Sequence, residues 1–201
     1  MTIETLFATR LYRKVLPRTR AFNAELARTC IAISREDRAG QRWSKEHGYT
    51  GYTSYASLND LPLRAPVFAD LKKHLDTHVK AFAKTLAFDL AERKLALDSL
   101  WINVMEKGGV HTAHIHPHSV ISGTYYVAVP KGASAIKFED PRLAMMMAAP
   151  TRKPNAPRAS QTFVRIAPTP GTVLLWESWL RHEVPQNAVR GQRISVSFNY
   201  A

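Results

Sequence analysis

The sequence HTAHIHPH, residues 111–118, places four of the chain's eight histidines within eight positions. It follows a glycine pair at 108–109 and leads into the apolar segment Gly123–Val129. Residues two apart share one face of an extended strand, so we expect His114 and His116 to point at the same place. Two imidazoles held in this way are typical metal ligands. The motif therefore predicts a metal site at the end of a β-strand.

The two flanking histidines are predicted to play lesser parts. His111 has the opposite parity and should point elsewhere unless the backbone bends, so we treat it as an accessory residue. His118 lies beyond Pro117, which is expected to end the regular strand. For a lone histidine, a polar strand face or a basic surface loop is the favoured interpretation. The His-x-His spacing with a third histidine downstream favours a metal site instead.

That third histidine is His182, which follows the apolar segment Thr172–Trp176 after a polar turn. An apolar strand that ends in a polar turn can deliver a side chain to the rim of a β-barrel. Three ligands on one face of a metal leave coordination positions open, as in non-heme iron and catalytic zinc sites. We therefore predict a metal-binding triad of His114, His116 and His182. Glu177 or Asp140 is expected to orient an imidazole through its second nitrogen.

A second polar pattern occupies the segment RISVSFN, residues 193–199. Arg193 and Ser195 alternate with apolar residues, so a strand here has one apolar and one polar face. A guanidinium with a hydroxyl beside it suits a buried carboxylate. Asn103, on the predicted strand Leu95–Val104, either reaches this site or bonds to the backbone.

Taken together, these motifs resemble the iron(II)- and 2-oxoglutarate-dependent oxygenase superfamily, and more narrowly a bacterial group of oxygenases with no settled substrate. The resemblance implies a mainly β fold with flanking α-helices. The core is a double-stranded β-helix, a cupin-like jelly roll, with the N-terminal helices packed outside. The matching segments are Trp101–Asn103, Gly108–Pro117, Ser122–Val127, Phe138–Arg142, Trp179–Asn187 and Arg193–Asn199.

The resemblance also implies the parts that single residues play. The three histidines bind Fe(II), while Arg193, Ser195 and Tyr126 hold the far carboxylate of the cosubstrate 2-oxoglutarate. The implied activity is hydroxylation of a substrate by a dioxygenase that converts 2-oxoglutarate to succinate and CO2. A small molecule or a peptide of unknown identity is the expected substrate.

His116 departs from the superfamily pattern, which has Asp or Glu at this position. An imidazole in place of a carboxylate raises the net charge of the site by one and weakens its hold on a hard cation. Three-histidine iron sites occur in thiol-oxidising cupins, which do not use 2-oxoglutarate. A cupin-type metal oxygenase without this cosubstrate is therefore the second hypothesis.

Length and composition indicate one soluble domain over residues 1–201, because a chain of this size can bury one adequate core. We expect a helical support region over 1–100 and the core with the metal site over 101–201. No apolar run is long enough to cross a bilayer, and the first residues lack the apolar core of a secretory signal, which predicts a cytoplasmic protein without membrane contact. Cys30 is the only cysteine, so no intrachain disulfide can form.

The net charge of +12 is spread along the chain rather than concentrated in one block. Nucleic-acid-binding tails concentrate their charge, so nucleic acid is not the expected partner. The third hypothesis is nevertheless a non-catalytic metal- or ligand-binding domain that uses a basic surface for nucleic acid. A homodimer is the default quaternary structure.

Hydrophobic periodicity predicts the remaining elements. Residues 44–66, rich in Gly, Tyr and Ser, are expected to be a loop whose tyrosines either line the pocket or pack on the surface. Residues 141–160, with four prolines and three consecutive methionines, are predicted to be a long loop. The predicted helices cover Arg20–Ser34 and a segment from Pro66, and the predicted strands cover residues 5–16, Leu95–Val104, Ala135–Asp140, Phe163–Ala167, Thr172–Trp176 and Arg193–Tyr200.

Overall fold

Two antiparallel β-sheets and four α-helices make up the computed structural model, which describes all residues, 1–201. The strands are β1 Leu11–Val15, β2 Gly51–Thr53, β3 Leu97–Met105, β4 His111–His114, β5 Ile121–Ala128, β6 Ile136–Glu139, β7 Phe163–Ile166, β8 Thr172–Glu177, β9 His182–Val184 and β10 Arg193–Tyr200. The helices are α1 Arg20–Glu36, α2 Arg38–Glu46, α3 Leu61–Arg64 and α4 Pro66–Thr85.

The larger sheet has six strands in the order β1-β8-β5-β10-β3-β2, and the smaller has four in the order β4-β9-β6-β7. Every neighbouring pair is antiparallel. Residues from both sheets form one buried apolar cluster, which includes Tyr126 and Trp176 from the larger sheet and Phe138 and Val184 from the smaller. The sheets therefore face each other, as the predicted double-stranded β-helix requires.

The opposite face of the larger sheet is covered by α1 and α4, and this layer contains the main hydrophobic core. In β10, Ile194, Val196 and Phe198 belong to this core, while Arg193 and Ser195 point to the space between the sheets. Because successive strand side chains alternate between faces, one strand supplies both the core and the cavity wall. The prediction of helices packed outside the sheet is confirmed.

The helix predicted from Pro66 is α4, and Pro66 stands in its first turn, where the missing N–H costs nothing. Its buried side chains recur every three or four residues and pack against the sheet. Burial of this stripe is what holds the helix in place. The buried residues are Val67, Phe68, Leu71, Leu75, Val79, Phe82 and Ala83.

Two predictions of secondary structure need correction. Residues 44–66 are not a continuous loop, because they contain the end of α2, the strand β2 and the short helix α3. The strand predicted over residues 5–16 is confined to β1, and Phe7 has a φ of 54°, which is incompatible with an extended strand. The strand β9 was not predicted. By contrast, β3 and β10 agree closely with their predicted ranges.

The segment 141–160 contains no strand and no α-helix, as its prolines predict, and only two 3-10 turns interrupt it. Met145 and Met147 are exposed, so these methionines do not fill the core. No helix in the structure combines the length and the apolar composition that crossing a membrane demands.

Candidate metal centre and anion pocket

The three predicted ligand histidines converge in the space between the sheets. One ring nitrogen of each of His114, His116 and His182 lies within 4.8 Å of the others, and these residues are called the triad. The Nε2 atoms of His116 and His182 are 3.3 Å apart. Two ring nitrogens this close together can both face one bound cation. The arrangement suits a metal held on one side by three imidazoles.

Strand pairing positions two of these residues, while a loop positions the third. His114 ends β4 and lies opposite His182, the first residue of β9. His116 lies beyond β4, so the prediction that it shares a regular strand with His114 is wrong. Its backbone N–H instead donates to the carbonyl of Ser178 at 3.0 Å, and this bond holds the loop against the opposite segment.

Backbone carbonyls orient two imidazoles of the triad. Nδ1 of His114 lies 2.6 Å from the carbonyl of Thr112, and Nδ1 of His182 lies 2.8 Å from that of Leu180. Because a carbonyl only accepts, Nδ1 carries the proton in both rings and Nε2 keeps its lone pair for a metal.

Neither predicted carboxylate orients an imidazole. Asp140 pairs with Arg142 at 2.8 Å, and Glu177 accepts from the indole of Trp179 at 3.2 Å. The expectation for Asp140 and Glu177 is therefore wrong, because local partners already use both carboxylates.

Burial keeps His116 and His182 in the uncharged form that binds metals. His182 packs against Trp176, with ring centroids 4.6 Å apart, and against Phe138 at 5.8 Å. Burial lowers the pKa of His182 to about 3 and the pKa of His116 to about 4. Both imidazoles are therefore neutral at pH 7, and no proton has to leave before a metal binds.

Arg193, Ser195 and Tyr126 form a second group in the same cavity, called here the anion pocket. Arg193 is only 2% exposed, lies 5.2 Å above the ring of Tyr126, and donates to the Ser195 hydroxyl at 3.5 Å. No acidic side chain pairs with this guanidinium. Its Nε and the Tyr126 hydroxyl are both buried without a hydrogen-bond partner. Buried donors without an acceptor and a buried cation without an acidic partner are costly, so the pocket fits an anionic ligand.

His111 lies beside the anion pocket rather than away from it. The strand register shifts between His111 and His114, and the side chain of His111 faces the cavity. We predicted that His111 would point elsewhere unless the backbone bends, and this shift is such a bend. Its Nε2 is 3.0 Å from the hydroxyl of Tyr49. Burial and the charge of Arg193 lower the pKa of His111 to about 3. His111 is not part of the triad, but the Tyr49–His111 pair borders Arg193.

Asn103 bonds to side chains in the cavity wall and not to the backbone. It accepts from the Thr53 hydroxyl at 3.0 Å and donates to the Ser197 hydroxyl at 3.1 Å. Of the tyrosines in residues 44–66, Tyr49 and Tyr55 line the cavity, whereas Tyr52 is buried against Asp37, to which its hydroxyl donates at 2.8 Å.

The cavity that joins the triad to the anion pocket has a volume of about 460 Å³, within the range of small-molecule sites. Arg193 is its only fully charged side chain, and neither Asp nor Glu lines it. Sequence reasoning missed Trp43 and Trp176 as lining residues, since isolated tryptophans have no pattern that separates a cavity wall from a core.

Comparisons with known proteins point to a family and to a fold. The sequence profile of the family described as "Putative 2OG-Fe(II) oxygenase" matches residues 99–199. No curated protein matches the sequence.

Several solved structures share the fold at low sequence identity. A prolyl-4-hydroxylase of Pseudomonas putida is 12% identical, with 96% of this chain and 92% of that chain covered and a TM-score of 0.62. The non-heme alpha ketoglutarate dependent epimerase SnoN from nogalamycin biosynthesis is 14% identical, covering 96% and 76%, with a TM-score of 0.64. HygX from Streptomyces hygroscopicus, with nickel and 2-oxoglutarate bound, is 14% identical, covering 96% and 82%, with a TM-score of 0.59.

Proposed function

The chain belongs to the 2OG-Fe(II) oxygenase family, and on that premise we propose that it is an iron(II)- and 2-oxoglutarate-dependent dioxygenase. It couples hydroxylation of a substrate to conversion of 2-oxoglutarate into succinate and CO2. The observation that carries this proposal is a buried, unpaired Arg193 in the same cavity as three converging imidazoles.

The residues of the triad fit a divalent metal. Their ring nitrogens converge, two tautomers are fixed by carbonyls, and burial keeps His116 and His182 neutral. In the proposed enzyme, these three residues hold Fe(II) and leave positions on its open side for ligands. The bound iron supplies activation of O2 and oxidation of the substrate C–H bond.

The anion pocket fits the far carboxylate of 2-oxoglutarate. Arg193 contributes a guanidinium fork, and Ser195 and Tyr126 contribute hydroxyls that are able to donate to the same group. The Tyr126 hydroxyl is protonated at neutral pH, because burial raises its pKa. Binding of a dicarboxylate would satisfy the two orphan donors of the pocket, Arg193 Nε and Tyr126 Oη. Burial of these groups also excludes water from the bound cosubstrate.

A three-histidine metal oxygenase that does not use 2-oxoglutarate is the second candidate. It is favoured by the absence of any carboxylate among the residues that line the cavity. It gives the buried Arg193 no ligand, however, and so does not explain why a guanidinium without an acidic partner lies in this cavity. Succinate formed under O2 with and without added 2-oxoglutarate separates the two candidates.

Separate binding titrations of metal and cosubstrate test the proposal. The anaerobic protein is titrated with Fe(II), and then with 2-oxoglutarate. We expect Arg193→Ala to weaken the binding of 2-oxoglutarate at least about 30-fold, because the buried carboxylate of the cosubstrate loses its cationic partner. The affinity for the metal should change little. His182→Ala should lose both ligands.

Arg165→Ala, in the short outer strand β7, is the matched control and should leave both affinities unchanged. Equal 2-oxoglutarate affinity in Arg193→Ala and the wild type would contradict the proposed cosubstrate site.

A further inference from the structure

Three aromatic side chains form a row from the cavity mouth to the triad, called here the aromatic wall: Trp43, Tyr55 and Trp101. The ring centroids of Trp43 and Tyr55 are 6.2 Å apart, and those of Tyr55 and Trp101 are 5.3 Å apart. Trp101 continues the row to His116 of the triad at 5.8 Å. Trp43 is half-buried, Tyr55 is 59% exposed and Trp101 is 7% exposed, so the row passes from solvent at Tyr55 into the interior at Trp101.

The aromatic wall is held in place by elements that do not belong to it. The Trp43 ring stacks on His47 at 4.1 Å, and the helix that carries it is capped by Asp37, which accepts from the N–H of Gly40 at 3.0 Å. Trp101 stands on β3, the strand paired with both β10 and β2. The two tryptophans of the wall are therefore held in position before a ligand binds, and a ring that stacks on them has little ordering cost to overcome.

A chain of hydrogen bonds runs along the cavity side of the sheet next to the wall. Thr53 donates to Asn103, Asn103 donates to Ser197, and Ser197 donates to Thr124 at 3.5 Å. Each of Asn103, Ser197 and Thr124 accepts one of these hydrogen bonds, and the hydroxyl proton of Thr124, at the end of the chain, has no acceptor in the structure. Thr124 is 5% exposed and lines the cavity. This proton is therefore available to an oxygen atom of a molecule bound in the cavity.

The charge of the cavity selects against cations. Fe(II) and the dianion 2-oxoglutarate cancel in charge, imidazoles that coordinate a metal do so in their neutral form, and Arg193 leaves one positive charge in excess. No Asp or Glu lines the cavity to offset it. An aromatic row that binds an ammonium group by cation–π attraction would have to overcome this repulsion.

We propose that the substrate is an uncharged ring bearing hydroxyl or carbonyl groups, which stacks on the aromatic wall and accepts a hydrogen bond from Thr124. This chemistry is shared by sugars and phenols. The assignment rests on the proposed function, because the excess charge is counted with iron and 2-oxoglutarate bound.

The test measures binding of two matched probe pairs by ligand-detected NMR, using the protein loaded with Zn(II) and 2-oxoglutarate. The sugar pair is methyl glucoside and methyl glucosaminide, and the phenol pair is 4-hydroxybenzyl alcohol and tyramine. The neutral member of at least one pair should bind, and its ammonium partner should bind at least about fivefold more weakly. Comparison of the pairs identifies which source of the ring the wall prefers.

Substitutions then locate the bound ring. Tyr55→Ala should lower the affinity for the neutral probe about three- to tenfold, which is the usual contribution of one aromatic contact. Tyr55→Phe keeps the ring and should retain the wild-type affinity. Tyr55 is exposed, so neither change threatens folding. Trp179→Ala is the control, because Trp179 is an aromatic residue of similar exposure, 47%, that does not line the cavity.

The possible results separate this inference from the proposed function. An ammonium probe that binds as tightly as its neutral partner, or a Tyr55→Ala variant with unchanged affinity, overturns the ring site. Binding of 2-oxoglutarate without binding of any neutral probe also overturns the ring site and leaves the proposed function intact. Binding of a neutral probe without any binding of 2-oxoglutarate supports the ring site and contradicts the cosubstrate.

Discussion

His116 is the residue that distinguishes this site from a site with a carboxylate ligand. Its imidazole brings no charge to the triad, and imidazole ligands suit Zn, Ni and Cu as well as Fe, whereas carboxylates suit harder ions such as Mn. In the proposed metal site, this one side chain therefore influences both the charge of the cavity and the choice of metal.

The substitution His116→Asp should shift metal preference towards the harder ion. We expect the affinity for Mn(II) relative to Ni(II) to rise on the order of tenfold, because an anionic oxygen replaces a neutral nitrogen. Competition with a chelator of known affinity measures the ratio. His118→Asp is the control, since His118 is exposed and lies outside the triad. An unchanged Mn(II)/Ni(II) ratio in His116→Asp would show that His116 does not bind the metal.

The buried neutral histidines should also make the stability of the metal-free protein depend on pH. The pKa values of His111 and His182 are lowered to about 3 and that of His116 to about 4, whereas unfolded histidine titrates near 6.5. Below that pH the unfolded chain binds protons that the folded chain does not bind. The free energy of unfolding should therefore fall as pH drops from about 6.5 to 4, by up to about 1.4 kcal/mol per pH unit for each histidine.

Urea unfolding between pH 7 and pH 4 measures this slope. The variant His111→Asn removes one of the three groups and should reduce the slope by about a third. A slope that is the same in wild type and His111→Asn would show that His111 titrates normally.

At this scale, much of the site could be predicted from the sequence, and the failures have physical causes. The alternation of Arg193 and Ser195 with apolar residues indicated one polar strand face, and both residues do line the cavity. The partners of the imidazoles could not be predicted, because backbone carbonyls such as that of Leu180 leave no trace in the sequence. The bend that brings His111 to the cavity depends on strand pairing, which is also not local.

Among the elements, β10 contributes most to the site. It pairs with β3 on one side and β5 on the other, so its inner face stands at the centre of the cavity wall. Long strands of this kind were predictable from their alternation. The strands β2 and β9 have three residues each, too few to show a period, and α2 is almost entirely polar, so its helical pattern was hidden.

Close packing between β5 and β10 leads to a prediction for Gly123. A Cβ atom at this position would lie 2.5 Å from the Phe198 ring and 2.7 Å from the carbonyl of Leu174. Gly123→Ala should therefore reduce the free energy of unfolding by about 1–3 kcal/mol. Addition of Phe198→Leu should restore part of the loss, since it removes the ring edge. Strictly additive losses in the double variant, measured by urea unfolding, would show that Phe198 is not the obstacle.

For the molecule as a whole, the proposed metal site would link metal binding to folding, because the triad exists only when β4 and β9 are paired. A ligand present at a hundred times its dissociation constant stabilises the folded state by about 2.7 kcal/mol. For a chain of this length, that corresponds to a rise in melting temperature of about 5–10 °C.

Differential scanning calorimetry with and without Zn(II) tests this linkage. The rise should occur in the wild type and in Arg193→Ala, whose triad is complete, and should be absent in His182→Ala. A full rise in His182→Ala would place the stabilising metal at another site.

The triad is carried by the smaller sheet and the segment that follows β4, whereas the anion pocket is carried wholly by the larger sheet. A dicarboxylate that reaches both would act as a crosslink, fastening one wall of the barrel to the other. Binding of 2-oxoglutarate should reduce the motion of the two sheets relative to each other. Amide protons in β4 and β9 should therefore exchange with deuterium more slowly than in the protein with metal alone. The cosubstrate would then stabilise the arrangement of the two sheets before it takes part in the reaction.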